Sequence, residues 1–259
     1  MRVGAVSMRE YNPQSMTSFP AFIFALVLLT GGLGLPWSIL GAAGPSTPLR
    51  AGQTRANAPA TLRVYLARHG QTDWNVEGRM QGGTDIPLNA TGRQQAAALK
   101  DHLKNVRFDA VYSSTLSRSR ETAEIVRGEV PLTSLAGLGE RRFGKFEGLL
   151  SNAPDTGPEF LRRRWDPQDA LDGGESWVAF TDRVRSALQT IRTKRPSGSI
   201  LLVGHGGTNQ AILQILLGLS LDDTRAITQD NDELYLIELD GTGIPRLWKL
   251  VTAANLRDL

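Results

Sequence analysis

Two of the three histidines in this 259-residue sequence stand directly after short apolar runs and beside glycine, in Arg68-His69-Gly70 and in Gly204-His205-Gly206-Gly207. If both runs are strands of one parallel α/β sheet, their C-terminal ends open onto a common crevice and both imidazoles meet there. Glycine beside each ring permits backbone geometries closed to other residues and lets an anion approach the amides. A helix starting after Gly206-Gly207 points its positive end at the same place. Arg68 adjoins the first histidine and Arg118 follows another candidate strand; both carry the planar fork that binds phosphate oxygens in pairs. Arg120 competes with Arg118, and spacing alone does not choose between them. Two imidazoles with two guanidinium groups form a set suited to phosphoryl transfer. The third histidine, His102, lies between Asp101 and Leu103 in a polar helical stretch and reads as an ordinary surface residue.

The elements that must position these groups follow from periodicity. Residues 62–67 are a short apolar run rich in strand formers, 200–204 is an unbroken apolar run, and 109–113 is another short strand candidate. Between them, 89–106 and 116–126 carry helical spacing, the first capped by Asn89 or Thr91. Trp177, Phe180, Val184, Leu188 and Ile191 recur every three or four residues, the stripe of a core-facing helix. A helix over 208–217 and strands over 232–239 and 246–250 complete the order. Residues 139–174, with many Gly, Pro and Asp and one short helical candidate at 159–165, read as an inserted, partly irregular segment. Strands alternating with helices predict an α/β fold, a three-layer sandwich with a mostly parallel central sheet flanked by helices.

Five blocks in register resemble the histidine phosphatase superfamily, the phosphoglycerate-mutase-like family. They are Arg68-His69-Gly70-Gln71-Thr72-Asp73-Trp74-Asn75 followed by Gln81-Gly82; 114–123, in which the family motif selects Arg118 over Arg120; Leu138-Gly139-Glu140 with 143–148; Gly174-Glu175-Ser176; and Val203-Gly204-His205-Gly206-Gly207. The match covers about residues 62–250. The resemblance implies a two-step hydrolysis of a small phosphorylated substrate through a phosphohistidine on His69. Glu140 would act as proton donor and acceptor, and His205, Arg68 and Arg118 would hold the phosphoryl oxygens. Gly70, Asn75, Gln81, Gly82 and Gly206 would line the substrate site, and Glu147 would pack its loop. Neither metal nor cofactor is implied.

Two other readings stay open. A phosphoglycerate-mutase-type transferase would use Arg141, Arg142 and the Arg162-Arg163-Arg164 run to clamp a second anionic group, although these could equally be solvated charges. A non-catalytic, tethered phosphate-binding module would use the same pocket without turnover. The physiological substrate and the oligomeric state are not legible.

The first sixty residues differ in composition from the rest. Residues 11–49 hold no charge, and 21–35 are almost wholly apolar. A basic start, an apolar run and the small residues Gly41, Ala42 and Ala43 predict a signal peptide or N-terminal membrane anchor over 1–43, with membrane anchoring through 19–43. A Pro-, Ala- and Gly-rich linker over 44–60 follows, then a catalytic domain over 61–259. Export to the periplasm or outside, or anchoring with the domain outside, is the expectation, and an upstream extension of a cytoplasmic protein is the alternative. The net charge of +3 comes from Arg2, Arg9, Arg50 and Arg55 against Glu10, and the remaining 25 basic and 25 acidic side chains balance. A neutral domain gives no footprint for nucleic acid. With no cysteine, thiol nucleophiles, disulfides and lipoprotein anchoring are excluded.

Overall fold

A computed structural model describes residues 9–10, 61–240 and 245–250. The expected leader over 1–43 and linker over 44–60 fall outside the described residues, apart from a two-residue strand β1 (Arg9–Glu10). No helix among the described residues is long and apolar enough to cross a membrane.

The domain is built on β2 (Leu62–Arg68), followed by a single-turn helix α1 (Asp73–Val76) and by α2 (Ala90–His102). Next come β3 (Ala110–Ser113), α3 (Ser117–Val126) and β4 (Leu132–Ser134). An irregular segment carries α4 (Gly157–Arg163) and leads to α5 (Trp177–Lys194). The chain closes with β5 (Gly198–Gly204), α6 (Gly206–Leu217), α7 (Leu221–Ala226), β6 (Leu234–Leu239) and β7 (Arg246–Leu250). The strand order is β1-β7-β6-β2-β5-β3-β4. Strands β2, β5, β3 and β4 form a parallel core, and β6 and β7 extend it antiparallel beyond β2.

Alternation along the strands makes the three layers. On β2 and β5, Val64, Leu66, Ile200 and Leu202 point into one core, with Phe180, Val184, Leu188 and Ile191 of α5 and Ala211 and Ile212 of α6. The intervening Ala67, Leu201 and Val203 point into a second core with Leu99, Ala123 and Val126 from the opposite face. Two such faces on one short strand require unbroken apolar runs, which is why 200–204 shows no polar alternation. A third, smaller cluster of Met80, Phe146, Phe160 and Leu171 lies under the irregular segment.

Several boundaries differ from the sequence expectation. Helix α2 stops at His102 rather than near Val106, because Leu103 turns out of helical geometry as its cap. His102 is therefore a terminal residue, and it is exposed as expected. Strand β4 and helix α7 are additions; three mostly exposed residues carry no periodicity, and α7 has six residues, started by a Ser220 side chain that accepts from the Asp223 amide.

Candidate active site

Register brings the two histidines together. In the β2–β5 pair Arg68 stands opposite Gly204, so His69 and His205 leave neighbouring parallel strands at the same level. The His69 amide still donates to the Gly204 carbonyl at 3.0 Å. The ring centroids lie 5.1 Å apart with planes tilted by 56°. Both rings are buried, at 3% and 0% exposure.

Each ring has a defined hydrogen-bonding role. Nδ1 of His69 lies 2.7 Å from the Gly70 carbonyl, which can only accept, so Nδ1 carries the proton and Nε2 keeps its lone pair. The Nε of Arg118 donates to Nδ1 of His205 at 3.2 Å, so His205 is protonated on Nε2 and donates to the Ser114 hydroxyl at 2.7 Å. Burial, reinforced by Arg118 and Arg68, holds His69 well below the usual 6.5, and burial with Arg118 and His69 does the same for His205. Both imidazoles are thus neutral at pH 7.

Arg118 is itself fully buried, anchored by its Nη1 donating to the Thr84 carbonyl (2.7 Å) and its Nη2 to that of Gly82 (2.9 Å). Burial lowers its pKa to about 10, leaving it charged. Arg120 is exposed, so the fold selects Arg118. Arg68 donates through Nη1 to the Gln229 carbonyl at 2.6 Å, while its buried Nε has no partner. An unmatched donor beside two imidazoles is chemistry reserved for an acceptor. Arg68, His69 and Arg118 line a cleft of about 400 Å³ together with Asn75, Gln81, Gly82, Glu140 and Gly206. Its size suits a small molecule. A somewhat larger hollow, of about 470 Å³, lies among α5, α6 and α7, away from both histidines.

Two expected residues, and the expected anion site at the start of α6, are arranged differently from their expected use. His205 does not line the cleft; both its nitrogens are engaged, and direct contact with a phosphoryl oxygen requires one of those bonds to exchange. Gly70 also lies behind the cleft wall, its amide donating to the Thr122 hydroxyl at 3.0 Å. A Cβ there would come within 2.3 Å of the Gly92 carbonyl oxygen, so this glycine admits the start of α2 rather than an anion. Nor are the first amides of α6 all open to a ligand, because Gly207 and Thr208 donate to the Glu140 carboxylate at 2.9 and 3.1 Å, and the Arg141 amide adds a third bond at 2.8 Å. The carboxylate takes the favourable place for negative charge at a helix N-terminus. Gly207 leaves room for it, since a Cβ would stand 2.6 Å from Oε1.

Asn75 divides its side chain, with Oδ1 completing the Thr72 capping box and Nδ2 left for the cleft. Gln81 has a buried Oε1 without a partner. Glu147 accepts from the amides of Gly83 and Phe143 and from the Thr84 hydroxyl, a loop-fixing role as expected. Four supporting residues escaped the sequence reading: Ser114 under His205, Thr122 under Gly70, Gln229, which holds Arg68 by its carbonyl, and Asn231, whose Nδ2 donates to the His69 carbonyl at 2.6 Å. Ser114 and Thr122 stood in the matched block. Among the described residues, no cluster of three or more His, Asp or Glu is placed to hold a metal ion.

The two lowered histidines link protonation to stability. Above about pH 6.5 both rings are neutral in folded and unfolded chains, and their contribution is fully present. As pH falls below that value the unfolded chain takes up protons first, so stability is lost, by up to about 1.4 kcal/mol per pH unit per imidazole. His69→Gln has one fewer such proton to gain. Its stability, measured by urea unfolding between pH 7 and 5, should fall less steeply than that of the parent; parallel slopes would contradict a neutral, burial-held His69.

An α/β sandwich whose adjacent strand ends present paired neutral imidazoles, buried guanidinium groups and one carboxylate defines a phosphoryl-handling enzyme. Residues 64–252 match the model of the histidine phosphatase superfamily, branch 1, and the chain belongs to that family. Its activity is of the phosphatase or phosphoglycerate-mutase-like kind that the family comprises. The chain is 34% identical over 157 residues to the uncharacterized phosphatase PhoE of Bacillus subtilis, covering 60% of this chain and 77% of that one. It is 31% identical over 205 residues to a probable phosphoglycerate mutase, GpmB, of Shigella boydii, covering 76% and 95%. Among solved structures, the alpha-ribazole phosphatase of Shigella flexneri aligns with a TM-score of 0.65 and 27% identity, over 76% of this chain and 99% of that one.

Proposed function

We propose that the protein is a metal-independent phosphatase that hydrolyses small phosphate monoesters through a phosphohistidine on His69. The observation that carries this reading is the Nδ1–Gly70 hydrogen bond, which leaves Nε2 of a neutral, buried ring as an unprotonated nucleophile facing the cleft. In the first step Nε2 bonds to phosphorus as the ester P–O bond breaks, and the departing oxygen takes a proton from Glu140. In the second, water oxygen bonds to phosphorus, the N–P bond breaks, and the water proton passes to Glu140. Arg68 and Arg118 offset the charge on the equatorial oxygens, with Asn75 and Gln81 as neutral donors. His205 holds Arg118 and lies against His69. The hydrogen bonds to Glu140 suit the accepting half of its role. The proton that Glu140 gives in the first step is returned to it in the second.

The test is release of inorganic phosphate by the full chain from a panel of phosphate monoesters with EDTA present. Turnover of at least one monoester, unaffected by the chelator, is expected. Absence of release from every ester, or release abolished by EDTA, would contradict the reading. The similarity to GpmB along nearly all of that protein favours one second reading, transfer of the phosphoryl group back to an organic acceptor. Isomerised phosphate ester in place of inorganic phosphate would identify it.

A further inference from the structure

Helix α5 carries one side chain that reaches back to the segment bearing Glu140. Arg183, partly buried, pairs with the buried Glu175, its Nε donating to Oε1 at 2.9 Å and its Nη2 to Oε2 at 2.8 Å. In this two-bond geometry a carboxylate fixes the plane of a guanidinium as well as its place. The remaining donors of the same group face main-chain oxygens of the Glu140 segment. Nη1 donates to the carbonyls of Gly137 and Gly139 at 3.0 and 3.1 Å, and Nη2 to that of Glu140 itself at 3.3 Å. Glu175 works on the other side. Its Oε2 accepts from the Arg142 amide at 3.3 Å, its amide donates to the Arg142 carbonyl at 2.9 Å, and its carbonyl accepts from Nε of Arg141 at 2.8 Å. One ion pair therefore holds the main chain immediately before and after Glu140, where residues 139–143 form neither helix nor strand and have no ladder of their own.

A carboxyl that exchanges a proton with the leaving group must stand within hydrogen-bond reach of it, and a misplacement of about 1 Å is costly. The carboxylate oxygens of Glu140 meet the first amides of α6, but its main chain belongs to the irregular segment, so its reach into the cleft depends on what anchors that segment. Neither Arg183 nor Glu175 lines the cleft, so neither meets the substrate there. We propose that Arg183, oriented by Glu175, is a positioning residue that fixes the chain around Glu140 and thereby places its carboxyl at the departing oxygen. This inference rests on the reading of Glu140 as the proton carrier and adds the pair that makes it effective.

The test is a double-mutant cycle, read as kcat and KM of the full chain for an alkyl phosphate that the parent hydrolyses. With Glu140 present, Arg183→Met should lower kcat by roughly 10- to 100-fold and change KM by less than about 3-fold. In the Glu140→Gln background the same substitution should lower kcat by less than about 3-fold, because the group that it places is already lost. Arg183→Lys keeps a cation beside Glu175, but one nitrogen replaces three and leaves part of the carbonyl set unheld. It should show the same dependence on Glu140 with a smaller fall. Lost folded protein would lower kcat alike in both backgrounds, so equal falls overturn the inference, as does an unchanged kcat in Arg183→Met; both leave the phosphatase reading standing. A Glu140→Gln variant that turns over the alkyl phosphate at the parent rate would overturn the acid reading and the inference with it.

Discussion

Replacing His69 by alanine is expected to lower kcat by about 10⁴-fold or more while leaving the chain folded. The size of the effect follows from the chemistry removed. In the proposed mechanism Nε2 of His69 is the nucleophile, and no thiol exists in the sequence to replace it. His205, 5.1 Å away between centroids, is a poor substitute because its Nε2 carries a proton given to Ser114 and its Nδ1 lone pair is taken by Arg118. The structural cost is smaller: one side-chain hydrogen bond and the packing of one ring between elements secured by the 3.0 Å His69–Gly204 backbone bond. Steady-state kinetics with circular dichroism and thermal melting separate the two effects. A variant turning over near the parent rate would remove the nucleophile assignment.

The second large effect is selective. Glu140→Gln should slow alkyl phosphates by roughly 10²- to 10⁴-fold but nitrophenyl phosphate far less, because a good leaving group departs without a proton. The amide cannot reproduce the present arrangement, since Oε1 and Oε2 both accept backbone N–H bonds from Thr208 and Gly207. Turning an NH₂ towards either amide sets donor against donor, so some displacement of the side chain is expected. Displacement alone would slow all substrates alike. Comparing the variant-to-parent rate ratio across leaving groups of graded pKa therefore distinguishes lost proton transfer from a shifted loop, and a flat ratio would argue against the acid role.

The parallel core and the site could be read in the sequence for the same reason. Strands buried on both faces must be unbroken apolar runs, and the ends of β2 and β5 are marked by the change from Ala67 and Val203 to the polar, glycine-rich segments that carry His69 and His205. Their facing arrangement depends on register, here Arg68 opposite Gly204, which no residue type encodes. The glycines were legible as special positions but not in their use, because the close neighbours they admit, the Gly92 backbone and the Glu140 carboxylate, come from distant segments. The fates of Arg141 and Arg162 to Arg164 were equally hidden: Arg162 is exposed, Arg163 is bonded to Asp169, Asp172 and Glu159, and Arg164 lines the cleft. Arg141 is buried against the carbonyls of Glu175 and Asp169, which makes it a strut of the irregular segment rather than a ligand clamp. In a segment without periodicity, neighbouring arginines point in directions set by tertiary contacts alone.

The most direct measurement is a rapid quench into alkali during turnover of a phosphate monoester labelled on phosphorus, followed by peptide mapping and identification of the phosphohistidine isomer. The account predicts an acid-labile, alkali-stable phosphoryl group on His69, bonded to Nε2, because Nδ1 is held by the Gly70 carbonyl. Label on Nδ1, label on another residue, or turnover without a covalent phosphoenzyme would contradict it.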